Sequence, residues 1–128
     1  MKYIITTTKS VNQAAEALEK AVAAHQFGVL HIHDLKATMN KKGVAFEPEC
    51  RVFEVCNPKK AFAVLSEDMA MNIALPCRIS VWEENGQTHI GMINPKPMLE
   101  MLSQSAALTA VAEEVQSILT TIIDEAAS

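Results

Sequence analysis

Near the middle of the chain two runs of alternating apolar and polar residues, "CRISVWEE" and "QTHIGMI", flank Asn85-Gly86. Asn-Gly is the preferred pair of a type I′ turn, because both central positions need a positive φ. The pattern therefore predicts a β-hairpin with a two-residue loop. Its register places Glu84 opposite Gln87, Trp82 opposite His89, Val81 opposite Ile90 and Ile79 opposite Met92. Ile79, Val81, Ile90 and Met92 then share an apolar face. Arg78, Ser80, Trp82 and His89 share the other.

Elsewhere the period changes. "YIITTT" (Tyr3 to Thr8), "VLHIH" (Val29 to His33) and "CRVFEV" (Cys50 to Val55) are short β-rich runs and read as strands. Between the first two, Val11, Ala14, Ala15, Leu18 and Val22 recur at helical spacing. Ser10 and Gln13 form a capping box ahead of them. Asp34 is placed to cap a short helix, "LKATMNKK", that Gly43 terminates. Asn57-Pro58 marks another helix start, with Ala61, Phe62 and Leu65 as its buried stripe. "SEDMAMNIALP" reads as loop with some helix. "NPKP" breaks the chain, and the residues from Met98 onward are helical, with an apolar face running from Leu108 to Ile122. The order β-α-β-(α)-β-α-β-β-α makes residues 1–128 one α+β domain. It is a two-layer α/β sandwich with helices on one face of a mostly antiparallel sheet.

Alternation also assigns the other strands to faces. Leu30 and Ile32 are the core choice in the second strand, which sends His31 and His33 to the opposite side. Phe53 and Val55 are the core choice in the third, which sends Cys50, Glu54 and Cys56 there too, together with Val52. The second face of the sheet thus collects three histidines, two cysteines and the only tryptophan. Cys77 alternates with Arg78 and points toward the apolar side.

Composition narrows the setting. Apolar residues make up 49% of the 128, enough for a core that needs no disulfides. Net charge is −4, with no basic stripe, which argues against nucleic acid as a partner. The N-terminus lacks a signal-peptide pattern, and no apolar run approaches the roughly 18 residues of a membrane span. The expectation is a cytoplasmic protein with no membrane association and reduced thiols. Three cysteines cannot form a complete disulfide set.

The candidate chemistry follows from these placements. His31 and His33, about 6–7 Å apart on one strand face, could share a metal or two sides of a ligand. The plainer reading is two histidines on a wet surface. Cys50 and Cys56 lie about 20 Å apart along an extended strand and lack zinc-finger spacing, so no structural zinc site forms from them. A parallel crossover after Cys56 would put Cys77 near the Cys50 end instead. Cys56 precedes a helix N-terminus, whose dipole should lower its pKa, which makes it the reactive-thiol candidate. The plainer reading is a small apolar residue at a strand end. Glu54 and Arg78 suit a cross-strand ion pair. Trp82 on the open face suggests a contact surface. Met39, Met69, Met71 and Met98 could act as soft ligands, although methionine more commonly fills core space. No nucleophile triad, phosphate loop, HExxH or DxDxDG pattern occurs, so nothing signals catalysis.

Three stretches, "FGVLHIHDLKATMNKKG", "ECRVFEVCNPKKAFAVL" and "NIALPCRISVWEENGQTHIGMINP", resemble the uncharacterised family called domain of unknown function three hundred and two. Cys56-Asn57-Pro58 and Leu75-Pro76-Cys77 carry the likeness most specifically. The resemblance covers almost the whole chain. It implies a two-layer α/β domain, usually a homodimer, without an agreed function or catalytic residues. Members with the "ECRVFEVCNP" form are similar to proteins of sulfur-oxidising bacteria, which suggests a sulfur or redox context. The resemblance also admits haem as a cofactor, although the family's common form lacks histidine where His31 and His33 stand. The sequence-level expectation is a small binding module. It holds haem or a metal-type ligand on the open sheet face or at a dimer interface, through His31, His33, Trp82 and His89, with His31 and His33 as metal ligands. The alternatives are a homodimeric interaction protein without a ligand, and a thiol-redox or sulfur-carrier protein that uses Cys56.

Overall fold

The computed structural model describes all 128 residues. Five strands, β1 (Lys2–Thr7), β2 (Gly28–Asp34), β3 (Cys50–Cys56), β4 (Cys77–Glu84) and β5 (Gln87–Ile93), form one sheet in the order β1-β5-β4-β3-β2. Every neighbouring pair is antiparallel. Five helices accompany them: α1 (Val11–Ala24), α2 (Leu35–Lys41), α3 (Pro58–Glu67), α4 (Pro95–Leu102) and α5 (Ala106–Ala127). A 3-10 segment, Met69–Ala74, follows α3.

The local signals act as their chemistry requires. Asn85 and Gly86 both take positive φ, and Glu84 pairs with Gln87. Ser10 and Gln13 close a reciprocal capping box on α1. Asp34 accepts from the Ala37 N–H, and Gly43 (φ 82°) follows α2. The Asn57 side chain accepts from the Lys59 and Lys60 N–H groups, with Pro58 in the first turn of α3. Pro95 likewise opens a helix, where its missing N–H costs nothing, so the C-terminal helical region begins earlier than Met98. That region is two helices, and Ser105 caps the second.

The main core lies between the sheet and the pair α1 and α5. Phe53, Val55, Ile79, Val81 and Ile90 from the sheet meet Leu18 and Val22 of α1 and Leu119, Ile122 and Ile123 of α5. A second cluster, Val64, Met71, Leu99, Leu108 and Ala112, joins α3, the 3-10 segment, α4 and the start of α5. By length and composition α5 is apolar enough to cross a membrane, contrary to the expectation of no such run. Here it packs along α1 and over the sheet, burying Leu108, Ala112, Val115, Leu119 and Ile122 at helical spacing. Its end also ties down β1. The Tyr3 hydroxyl donates to Asp124, Thr7 Oγ1 donates to the Ala127 carbonyl (2.8 Å), and Lys9 Nζ donates to the Ala126 carbonyl (2.9 Å).

Two expected core assignments fail. Leu30 is 62% exposed and Ile32 37%, because β2 is an edge strand and its register shifts between Val29 and His31. Leu30 falls in that bulge. Phe62 is 74% exposed, because α3 packs at the end of the sheet, mainly on α5 and the 3-10 segment. The buried residue of α3 is Val64.

Candidate functional site

The second face of the sheet carries no helix of the main pair, and its register can be followed residue by residue. Trp82 pairs with Cys50 on one side and His89 on the other. Ser80 pairs with Val52 and Gly91, Glu54 with Arg78 and His31, and His33 with Val52. Directly opposed residues point the same way, so His31, His33, Cys50, Glu54, Arg78, Ser80, Trp82 and His89 share this face. They form two separate groups. At the β2 edge the rings of His31 and His33 meet edge to face at 4.4 Å, and His33 Nε2 lies 3.3 Å from Glu54 Oε1. Glu54 therefore turns to His33, and the expected Glu54–Arg78 pair is absent: Arg78 has no carboxylate within 4.0 Å.

On β4 and β5 the Trp82 and His89 rings stack at 5.4 Å, tilted by 31°. His89 Nδ1 lies 3.1 Å from Thr6 Oγ1, and Trp82 Nε1 donates weakly to Glu84 at 3.4 Å. The indole also covers Gly91: a Cβ there would stand 3.1 Å from Trp82 Cη2 and 2.9 Å from Ile4 Cγ1. The glycine is what lets the ring lie close to the sheet. Three inter-strand steps separate β2 from β5, about 14 Å, so the two groups cannot grip opposite sides of one iron. No group of three His, Cys, Asp or Glu side chains is arranged to hold a metal ion.

The cysteines depart from expectation. The excursion Asn57–Pro76 does not cross the sheet; it returns to the same end, and β4 runs antiparallel to β3 with Cys77 opposite Val55. Cys77 thus lies beside Cys56, not near Cys50, which faces Trp82 at the far end. All three thiols are free. The helix start does not activate Cys56. Its thiol is pushed up by burial, and Asn57 already occupies the N–H groups of Lys59 and Lys60. Burial also pushes Cys77 up, to about 11, with the neighbouring Cys56 adding to the shift. Burial and then the Asp34 carboxylate raise Cys50.

Cys56 and Cys77 line a cavity of about 270 Å³ at this end of the molecule. Leu30, Val64, Leu75, Met98 and Leu99 supply apolar walls, and Lys60 is the only charged side chain at the lining. Lys60 is paired with Glu114 of α5. The Leu75–Pro76 peptide bond in its wall is cis.

A family model described as Domain of unknown function DUF302 matches residues 3–126. The chain belongs to this family. A crystal structure of an uncharacterized conserved DUF302 protein from Bacillus stearothermophilus is 31% identical and superposes with a TM-score of 0.92, over 98% of this chain and 97% of that one. No curated protein matches. The DUF302 assignment accounts for the two-layer α+β architecture.

The cavity of this DUF302 chain escaped the sequence reading. Its walls come from α3, α4, α5, the 3-10 segment and the ends of three strands, and no spacing announces such a space. One signal was available. Cys56-Asn57-Pro58 and Leu75-Pro76-Cys77 bracket a single excursion, and an antiparallel return puts its two ends side by side.

Proposed function

We propose that the chain is a binding module whose ligand site is the end-of-sheet cavity, and that the ligand is small and mostly apolar. The single observation that carries this is the cavity's make-up: almost wholly apolar walls, with Cys56, Cys77, Asn57 and the Glu114-paired Lys60 at the lining. Its 270 Å³ is just below the roughly 300–1,000 Å³ usual for small-molecule sites. That size suits a ligand smaller than a porphyrin. The test uses the fluorescent probe anilinonaphthalene sulfonate, whose rings match the apolar walls. Wild type binds one equivalent saturably. Ala61→Trp, at a half-buried lining position, fills the space and abolishes binding with circular dichroism unchanged. Undiminished binding by that variant would refute the reading.

A second reading places haem on the open face, near β4 and β5 and not at the β2 edge. What favours it is His89: Thr6 holds its Nδ1, which leaves Nε2 as the nitrogen that would bind the group, and Trp82 lies alongside. Haem would supply a redox-active iron there. His31 and His33 are too far across the sheet to serve the same iron. A haemin titration tests this. It predicts a saturable Soret band that survives His31→Ala/His33→Ala and disappears in His89→Ala; no band in wild type would end it.

A further inference from the structure

The β4–β5 hairpin does not stay paired to the ends of its strands. Its ladder runs from the turn only as far as Ser80 with Gly91, although β4 begins at Cys77 and β5 ends at Ile93. Beyond that pair each strand keeps its other neighbour, Arg78 opposite Glu54 of β3 and Ile93 opposite Lys2 of β1. Pro76 precedes β4 and Pro95 follows β5, and a proline has no N–H with which to extend the ladder. Main-chain groups alternate in direction along a strand. The Asn94 N–H turns outward to the Met1 carbonyl and the Glu83 N–H outward to that of Glu49, so the groups of Arg78 and Ile93 turn inward and face the rung that is not made. A cavity of about 360 Å³ lies at this gap. On the open face Ile4, Ile93 and Trp82 give it apolar sides and Gly91 leaves its floor bare, while Met92 and Leu119 of the core close it from beneath.

The charges at this gap are of one sign. Lys2 and Arg78 both line it, neither has a carboxylate within 4.0 Å, and no acidic residue is among the lining. Glu54, opposite Arg78 on the same face, is turned to His33 at 3.3 Å. Two unpaired cations, the Ser80 hydroxyl and inward-facing main-chain N–H groups thus stand beside an indole and two aliphatic side chains. A guanidinium fork and an ammonium hold a carboxylate through charge-assisted hydrogen bonds, and an indole prefers a flat ring as its neighbour. We propose that the gap between β4 and β5 is a second small-molecule site and that it takes an aromatic carboxylate. The carboxylate lies between Arg78 and Lys2, and the ring rests above Gly91 against Trp82 and Ile4. The volume is within the roughly 300–1,000 Å³ usual for such ligands. This site goes beyond the end-of-sheet cavity: the two share Pro76, Cys77, Pro95 and Met98 as a common wall, but Lys60 belongs to one and Lys2 and Arg78 to the other. His89 does not line it.

The experiment is isothermal titration calorimetry of the full chain with benzoate, and in parallel with benzamide, which keeps the ring without the charge, and acetate, which keeps the charge without the ring. Expected is one saturable equivalent of benzoate, with benzamide and acetate each about tenfold weaker or more. Arg78→Met, at an exposed position, keeps the circular dichroism of wild type, weakens benzoate about tenfold or more and abolishes its advantage over benzamide. Lys2→Met also weakens benzoate. Lys20→Met, which removes the same charge from the exposed face of α1, leaves binding unchanged. No saturable benzoate binding, benzamide or acetate held as firmly as benzoate, wild-type affinity in Arg78→Met, or an equal loss in Lys20→Met would each overturn the assignment. A chain that takes anilinonaphthalene sulfonate in the end-of-sheet cavity but no benzoate refutes this site alone. Benzoate binding in a chain whose end-of-sheet cavity fails its own test leaves this site standing.

Discussion

Gly91→Ala tests whether the indole of Trp82 is seated by the absence of a side chain. A Cβ at this position would come 2.9 Å from Ile4 Cγ1 and 3.1 Å from both Trp82 Cη2 and the Tyr3 carbonyl oxygen. Ile4 is 45% exposed and its side chain can swing away, but the Tyr3 oxygen belongs to the paired β1 backbone and cannot. Overpacking of this kind costs about 1–3 kcal/mol. Alanine also restricts the unfolded chain and returns about 0.4–1 kcal/mol. The net expectation is a loss of roughly 1–2 kcal/mol, equivalent to a fall in Tm of about 3–10 °C. Urea unfolding followed by tryptophan emission is the assay, because Trp82 is the only tryptophan. The native emission should shift toward that of hydrated indole as the ring is lifted. Adding Ile4→Ala removes the nearest clash, so the double variant should be more stable than the sum of the single changes predicts. A midpoint within about 0.5 kcal/mol of wild type, with unmoved emission, would refute the seating argument.

Other consequences are as direct. Phe53→Ala, at a side chain 1% exposed beneath α1 and α5, should cost about 3–5 kcal/mol in denaturant unfolding. Asn57→Ala removes the acceptor of two amide protons and should cost about 1 kcal/mol, with faster hydrogen exchange at Lys59 and Lys60. The Tyr3 hydroxyl has its pKa raised by donating to Asp124, so its contribution is present below about pH 10 and is lost as pH rises further. Thermal melts above pH 10 should therefore decline more steeply for wild type than for Tyr3→Phe. Because Cys77 sits at about 11, its alkylation rate, read by peptide mass spectrometry, should rise about tenfold per pH unit between pH 8 and 10. A plateau near pH 8 would contradict the buried thiol.

What was legible in the sequence was what depends on neighbours along the chain. The Asn85-Gly86 turn, the caps at Ser10, Asp34 and Asn57, and the alternation that puts His31, His33, Trp82 and His89 on one face all follow from local rules. The failures occur where a position in the whole sheet decides. Leu30 and Ile32 have the pattern of a core strand, but their strand is at the edge and bulged. Phe62 belongs to a plausible stripe on a helix that turns out to pack at the sheet's end. A parallel crossover would set Cys77 near Cys50, but the excursion doubles back and β4 runs antiparallel to β3. The amide groups at the start of α3 that would act on Cys56 are already taken by the Asn57 side chain, which local spacing does not reveal. The cavity needs all of these placements at once, and so no single segment points to it.

The position of β1 has a further consequence in time. It precedes every other element in the chain, yet its strand partner is β5 and its lashings reach Asp124, Ala126 and Ala127 in the last turns of α5. During synthesis β1 emerges before β5 and α5, so the loop from Thr7 to Thr88 must close before β1 is paired, and its α5 contacts come later still. Until then β5 has no neighbour on one side, and the apolar floor beneath α5 is open. The sheet can grow from the β4–β5 hairpin through β3 to β2, and addition of β1 is the step that must wait. A nascent chain halted before β5 would leave β1 without its strand partner, an open edge able to pair with another chain.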